Sequence, residues 1–225
     1  MNPFIGAAIV FAAGVLWFYF RLLRPVGGNI LVNGSFENER QTYKGGGKLQ
    51  STMDLGNASK DIPGWEVVGK IIWSQENNTA IRPPFGMFVE LANRDPLGNG
   101  PYGGVMQTVG LQTDRDYRLT FHLGTVRDPI PGFEERLLAP ATVQVTIEHM
   151  GSIRFSKTFT QPLDPNVPKW TPRFSMLFDT SGWTNPGGGA PATIKFQGLK
   201  APPTPFIGLD NVSLELMVPT ISLPR

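Results

Sequence analysis

Apolar and polar residues alternate in several short segments, and this pattern constrains the fold more than any other feature of the sequence. In residues 117–123 every second side chain is apolar and those between are polar. Side chains of a β-strand point alternately to opposite faces, so this pattern predicts a half-buried strand. The same pattern recurs in residues 142–148, 153–159 and 173–178. The sequence therefore favours β-structure with one buried face on each strand.

Glycine and proline supply the turns between these segments, with 26 and 21 copies in 225 residues. About ten short strand segments, with no amphipathic helix between them, predict an antiparallel β-sandwich or jelly roll. The chain has no cysteine, which excludes disulfides and thiolate metal sites. Its formal net charge is only +2 and no run of Lys or Arg is present, so nucleic acid is not an expected partner.

Residues 4–20 contain no charged side chain. With the leucines that follow, they give about 20 apolar residues, which as a helix would span about 30 Å, the thickness of a bilayer core. Aromatic residues followed by arginines are typical of the lipid–water boundary. The residues expected to anchor this helix are Phe4, Trp17, Tyr19, Phe20, Arg21 and Arg24. Small residues that would let another helix approach are Gly6, Ala7, Ala13 and Gly14.

A cleaved signal peptide is the alternative for this segment, but the residues before it carry no basic side chain and bulky residues stand where a cleavage site would lie. We therefore expect a retained anchor over residues 1–24, a linker over 25–28, a sandwich over 29–218 and a tail over 219–225. Arg21 and Arg24 favour a cytoplasmic domain. The absence of cysteine favours the other side, so we expect a periplasmic or otherwise extracytoplasmic domain, with the cytoplasmic orientation left open.

Residues 29–37, NILVNGSFE, which we call the first motif, resemble the opening strand of galactose-binding-like jelly-roll domains, so we expect residues 29–34 to form a strand and a turn. Such domains include carbohydrate-binding modules of bacterial glycanases, an uncharacterised plant cell-wall family and anchored bacterial surface proteins. Further motifs of these domains follow in order: IPGW at 62–65, VMQTV at 105–109, YRLTF at 117–121, W…F-x-F within 170–178 and GLDNVSL at 208–214. The resemblance covers about residues 29–216 and implies a jelly roll, although the plant members usually carry cysteines.

The resemblance also implies a structural calcium ion. In the similar carbohydrate-binding modules, the acids of the first and last motifs help to bind calcium, and here these are Glu37 and Asp210. Carboxylate oxygens are the ligands that Ca²⁺ prefers. The alternative is that both carboxylates cap turns or accept hydrogen bonds from backbone N–H groups.

Aromatic residues are the candidates for contact with a sugar or a protein, because an apolar sugar face packs on an aromatic ring. We name Trp183, Tyr102 and Trp73. Trp183 lies in the loop-like sequence SGWTNP, so we expect it to be exposed, whereas Trp65 and Trp170 match positions that are usually core in the resembling domains.

Motifs of catalysis are not recognisable in the sequence. The two histidines, His122 and His149, have no metal-ligand spacing and are expected at the surface. No nucleophile elbow, phosphate loop or dinucleotide motif occurs. Paired carboxylates such as Glu134 and Glu135 suit glycoside cleavage only in a deep cleft, so we expect no enzymatic activity.

Two functions remain. One is a single-pass accessory subunit that braces other membrane protein subunits, in a bacterial photosynthetic or other bioenergetic complex. The other is a surface protein that binds a glycan. The four-residue linker would hold the sandwich against the membrane lipid, and this favours the accessory subunit.

Overall fold

The computed structural model describes residues 23–37, 52–74, 86–91, 102–125, 140–162, 170, 173–184, 189–199 and 206–219. Within these residues, 12 strands form two antiparallel sheets. The all-β sandwich predicted from the alternating segments is therefore confirmed.

The larger sheet, sheet A, has seven strands. In spatial order these are β10 (Phe174–Asp179), β7 (Asp116–Gly124), β12 (Gly208–Pro219), β5 (Phe88–Glu90), β4 (Ile71–Ser74) and β2 (Thr52–Leu55), with β1 (Leu23–Val26) also paired to β12. β5 and β1 pair with different parts of β12. β5 pairs only with Gly208 and Leu209, at the beginning of β12, and β1 pairs along the same edge at the end of β12.

The smaller sheet, sheet B, has five strands. In spatial order these are β3 (Glu66–Val68), β6 (Gly104–Leu111), β11 (Ala190–Gly198), β8 (Ala141–His149) and β9 (Ser152–Gln161). Its outer face is polar, as shown by the hydroxyl pairs Thr108–Thr193 and Thr142–Thr160.

The core lies between the inner faces of the two sheets. Leu119, Phe121 and Leu123 of β7 are fully buried, as the period-two pattern predicted. Phe121 meets Phe196 of sheet B edge to face, with 5.1 Å between ring centroids. Aromatic pairs of this geometry add stability beyond the burial of their area.

The first motif is not a strand, and the prediction of one was wrong. Asn29 donates Nδ2–H to Val212 O at 2.8 Å, and its Oδ1 accepts from Leu214 N at 2.8 Å. Gln107 accepts from Val32 N at 2.7 Å and donates to Val32 O at 2.9 Å. Side-chain amides thus satisfy the backbone groups that a neighbouring strand would otherwise pair.

Left-handed backbone turns the first motif out of the extended conformation. Asn33 has φ 51° and Phe36 has φ 58°. Their carbonyl oxygens accept hydrogen bonds from the indole N–H groups of Trp65 and Trp73, at 3.0 and 3.2 Å. The motif therefore covers one edge of the core, and Phe36 is itself fully buried.

The boundaries at the start of the domain also differ from expectation. Arg24, expected at the end of a helix, and Pro25 and Val26, expected in the linker, all lie in β1, paired with Val218, Met217 and Leu216. Pro219, expected in the tail, is the last residue of β12. β2 lies in a polar, glycine-rich part of the sequence in which no alternation of apolar and polar residues marks a strand. Short strands at an edge carry too few residues for alternation to mark them.

Candidate functional site

Asp210 is a buried carboxyl group on β12, where the ladder with β7 becomes irregular. Its Cα partner is His122, and the register shifts between Asp210 and Ser213. Asn211 lies at this irregularity with φ 48° and donates its N–H to Asp210 Oδ1 at 2.5 Å. Asp210 Oδ2 has no hydrogen-bond partner among the described residues, although the side chain is fully buried. Burial of a carboxyl oxygen without a hydrogen-bond partner costs free energy, so a partner is expected at this position.

Glu37, at the end of the first motif, brings a second carboxylate to this place. Its Oε1 accepts a hydrogen bond from Met87 N at 2.5 Å. Gly86 must be glycine here, because its φ is 95° and a Cβ would run into the Glu37 carboxylate. The pKa of Asp210 is raised to about 8, chiefly by burial and to a smaller extent by the charge of Glu37, against the opposing effect of the hydrogen bond from Asn211.

The two carboxylates fit a calcium ion by their chemistry. A divalent cation would supply the missing partner of Asp210 Oδ2 and relieve the repulsion between the two acids. Groups of three or more His, Cys, Asp or Glu side chains suited to a metal do not occur among the described residues. The other ligands of such an ion would therefore be backbone oxygens or waters.

The three aromatic candidates are all in the interior. Trp73 is 0% exposed, Tyr102 4% and Trp183 7%. Their faces pack on other protein groups, so none presents a flat surface to a sugar in this structure. The expectation that Trp183 is exposed was wrong.

Trp183 is buried because the loop that carries it folds onto the end of sheet B. Its ring stacks on His149, with 4.7 Å between centroids and an interplanar angle of 17°. His149 is itself fully buried, against expectation, and its two ring nitrogens lie 2.9 and 3.1 Å from the carbonyl oxygens of Pro191 and Thr184. His122 is only half-buried. The sequence marked the loop correctly but gave no sign of the histidine beneath it.

A groove of about 550 Å³ lies where the edge strands β9 and β10 approach each other. Its lining residues are Arg118, Phe155, Ser156, Lys157, Ser175, Met176, Leu177 and Met217. This volume is within the roughly 300–1,000 Å³ of small-molecule sites. None of these residues was named from the sequence. The one signal was Lys157, which shares the core-facing side of β9 with Phe155 and Phe159.

The side chains of the groove are held in place by their neighbours. Phe155 packs on Phe178, with 5.4 Å between centroids. Arg118 donates Nη2–H to Glu215 Oε2 at 2.7 Å, which fixes the plane of its guanidinium group. The Lys157 ammonium lies 5.0 Å from the centre of the Phe159 ring. The lining of the groove thus includes a fixed aromatic ring as well as cationic and hydroxyl groups.

The anchor predictions lie outside the described residues, apart from Arg24. These are the predictions for Phe4, Trp17, Tyr19, Phe20 and Arg21, and for the helix-packing residues Gly6, Ala7, Ala13 and Gly14. In the part of the chain that the structure describes, no helix has the length and apolar character needed to cross a bilayer.

Comparison with known proteins identifies the fold but not a family. No family model matches the chain, and no curated protein matches it. Among solved structures, a Stig cyclase from Fischerella sp. TAU in complex with an indole compound has a TM-score of 0.57 and 16% identity, over 86% of this chain and 98% of the cyclase. A cyclase from Fischerella sp. TAU in complex with 4-(1H-indol-3-yl)butan-2-one has a TM-score of 0.57 and 14% identity, over 88% and 100%.

A solved CBM4 carbohydrate-binding module also matches, with 14% identity over 83% of this chain and 99% of the module, but its TM-score of 0.46 is too low to support an argument. The similarity to the cyclases extends over nearly all of both chains, so it shows a shared sandwich fold. The jelly-roll sandwich implied by the motifs is thereby confirmed as the fold.

Proposed function

We propose that the chain is a non-catalytic domain that binds a carbohydrate chain in the groove between β9 and β10, and that residues 4–20 hold it at a membrane. The observation that carries the proposal is the composition of the groove. Phe155 contributes an aromatic ring to the lining, and Arg118, Lys157 and Ser175 contribute N–H and O–H groups. Sugars present apolar C–H faces and a rim of hydroxyls, so they require this combination.

The rigidity of the groove supports the proposal. Phe155 packs on Phe178 and Trp183, and Arg118 is paired with Glu215. A ligand that meets side chains already fixed in place causes less loss of side-chain entropy on binding.

Calcium belongs to the proposal as a structural ion at Glu37 and Asp210. The orphaned oxygen of Asp210 supports it. Glu37 belongs to the first motif and Asp210 to β12, so an ion bound by both would link these two segments and stabilise the sandwich. Such an ion would not contact a ligand in the groove.

The accessory-subunit hypothesis gains no support from the solved structures reported above. Co-purification with the same partner proteins from native membranes would distinguish an accessory subunit from a carbohydrate-binding protein. A carbohydrate-binding protein would instead be released alone by mild detergent.

Two tryptophan substitutions test the groove. Ser175 is exposed on β10 and lines the groove, so Ser175→Trp should fill it. Thr158 is exposed on the outer face of β9, and Thr158→Trp is the matched control. We expect affinity electrophoresis of the full chain against a panel of soluble polysaccharides to reveal at least one ligand. Retardation by that ligand should be lost in Ser175→Trp and kept in Thr158→Trp. Equal binding by both variants would exclude the groove as the site.

A further inference from the structure

One end of the sandwich gathers the start of β1 and several turns of both sheets. Leu23, the first residue of β1, pairs with Pro219, the last residue of β12. Two residues before Pro219, Met217 pairs with Asp116 of β7, and Asp116 also pairs with Asp179 of β10. We call this the β1 end. It is the end at which β1 and β7 begin and β10 and β12 finish.

The hairpin between β8 and β9 reaches the same end from the other sheet. His149, the last residue of β8, stacks on Trp183 in the loop that follows β10. That loop is tied to the β6–β7 turn, because Thr180 N donates to Arg115 O at 2.9 Å and Thr180 Oγ1 donates to Gln112 O at 2.8 Å. The hairpin tip is therefore fixed at the β1 end.

The hairpin tip exposes large apolar side chains. Met150 is 61% exposed and Ile153 is 60% exposed, and they are two of the three exposed large hydrophobic residues found among the described residues. Val32, the third, lies on the first motif beside Gln107. Met150 in the turn and Ile153 near the start of β9 thus place two exposed apolar side chains within four residues of one hairpin.

The conformation of Met150 strengthens this point. Met150 has φ 51° and Gly151 has φ 74°, as in a two-residue hairpin turn with both central residues left-handed. Asparagine, aspartate or glycine suits the first of these positions, whereas a methionine there is strained. Turn chemistry alone does not explain the methionine, whose sulfur accepts a hydrogen bond from Thr184 Oγ1 at 3.7 Å while most of the side chain stays exposed.

The chain that precedes β1 identifies the partner surface. Residues 4–20 carry no charge, and only Arg21 and Leu22 separate them from Leu23. Three Cα–Cα steps join Phe20 to Leu23, at most about 11 Å. If residues 4–20 lie in a bilayer, the β1 end must lie at its surface.

We propose that the β1 end is a bilayer-contacting surface, in which Met150 and Ile153 insert between lipid headgroups beside the N-terminal apolar segment. This inference rests on the proposed anchoring by residues 4–20, but not on the carbohydrate site, because the groove and the hairpin tip use different residues. It also gives the domain a fixed orientation on the membrane, which a flexible tether would not.

Exposed charges around the tip are of both signs. Arg115 and Arg154 are exposed at this end, and so are Asp114 and Asp179. Apolar insertion should therefore dominate over attraction to anionic lipid. Contact with phosphatidylcholine should persist without anionic lipid and at high salt.

Cysteine scanning tests the proposal directly, because the natural chain has no cysteine. Met150→Cys, Ile153→Cys and Thr160→Cys are each labelled with an environment-sensitive fluorophore, in the full chain reconstituted into phosphatidylcholine vesicles. Thr160 is the matched control, since it is exposed and lies next to the opposite end of β9. Seven residues of strand place it about 23 Å from Ile153.

We expect quenching by lipid-chain spin labels to be several-fold stronger at positions 150 and 153 than at 160. Addition of phosphatidylglycerol or salt should change this ratio little. Two labelled positions keep the test valid if one of them disturbs the turn, and a thermal melt equal to that of the parent chain checks each variant. Labels at 150 and 153 that are no better quenched than the one at 160 would overturn the proposal, as would quenching that requires phosphatidylglycerol.

Discussion

The buried carboxyl group of Asp210 makes the stability of the domain depend on pH in a specific direction. Its pKa is raised from 3.8 to about 8 by burial and by Glu37, against the opposing effect of the Asn211 hydrogen bond. In metal-free solution between these two pH values, the folded chain keeps a proton that the unfolded chain releases. The stabilisation is complete below pH 3.8 and is lost as pH rises towards 8.

The difference of one bound proton between the folded and unfolded chain sets how steeply the free energy of unfolding changes with pH. Stability falls by about 1.4 kcal/mol for each pH unit, so about 3 kcal/mol is lost between pH 5 and pH 7. This is a large part of the roughly 5–15 kcal/mol that stabilises a typical domain. Asp210→Asn removes the ionisable group, so the variant should lose about 3 kcal/mol less than the natural chain over this interval.

Urea unfolding of the full chain in mild detergent with EDTA, followed by tryptophan fluorescence, measures the difference at pH 5 and pH 7. Both histidines are present in both proteins, so their contributions cancel. Asp54→Asn is the matched control, because it makes the same chemical change at an exposed residue of β2. Equal slopes for the natural chain and Asp210→Asn would refute the assignment of a raised pKa to Asp210.

Three further outcomes follow from the structure. At pH 7 added calcium should raise the melting temperature of the natural chain, and Glu37→Gln should abolish most of this rise; identical melting with calcium and with EDTA would contradict the calcium site. Gln107→Ala should lower the free energy of unfolding by about 2 kcal/mol in chemical denaturation, since it leaves Val32 N–H and C=O without their partners, and a loss within error of zero would show that water replaces the amide. Intact mass of the membrane-extracted protein should match a chain that begins near Met1, whereas a start near Asn29 would show cleavage and would also delete β1.

Alternation was sufficient to predict the architecture, because long central strands such as β7 and β8 have one face in the core and the other outside it. It failed at β1 and β2, which have four residues each. It also failed in the first motif, where Asn29 and Gln107 replace strand pairing with side-chain hydrogen bonds. These bonds join residues 75 and more apart in the sequence, so no local pattern reveals them.

The candidate sites were predicted unevenly for a similar reason. Glu37 and Asp210 were named through a motif, and the structure brings them together although they are at opposite ends of the domain sequence. Trp183 was misjudged because its burial depends on His149, a residue of another strand. The groove was missed because it is formed by the edges of two different sheets.

The position of a bound sugar tests the central claim most directly. A crystal structure of the full chain with its best-bound oligosaccharide should show a sugar ring against Phe155, with hydroxyl groups within hydrogen-bond distance of Arg118, Lys157 or Ser175. A sugar bound on the outer face of sheet B or at either end of the sandwich, with the groove between β9 and β10 unchanged, would contradict the account.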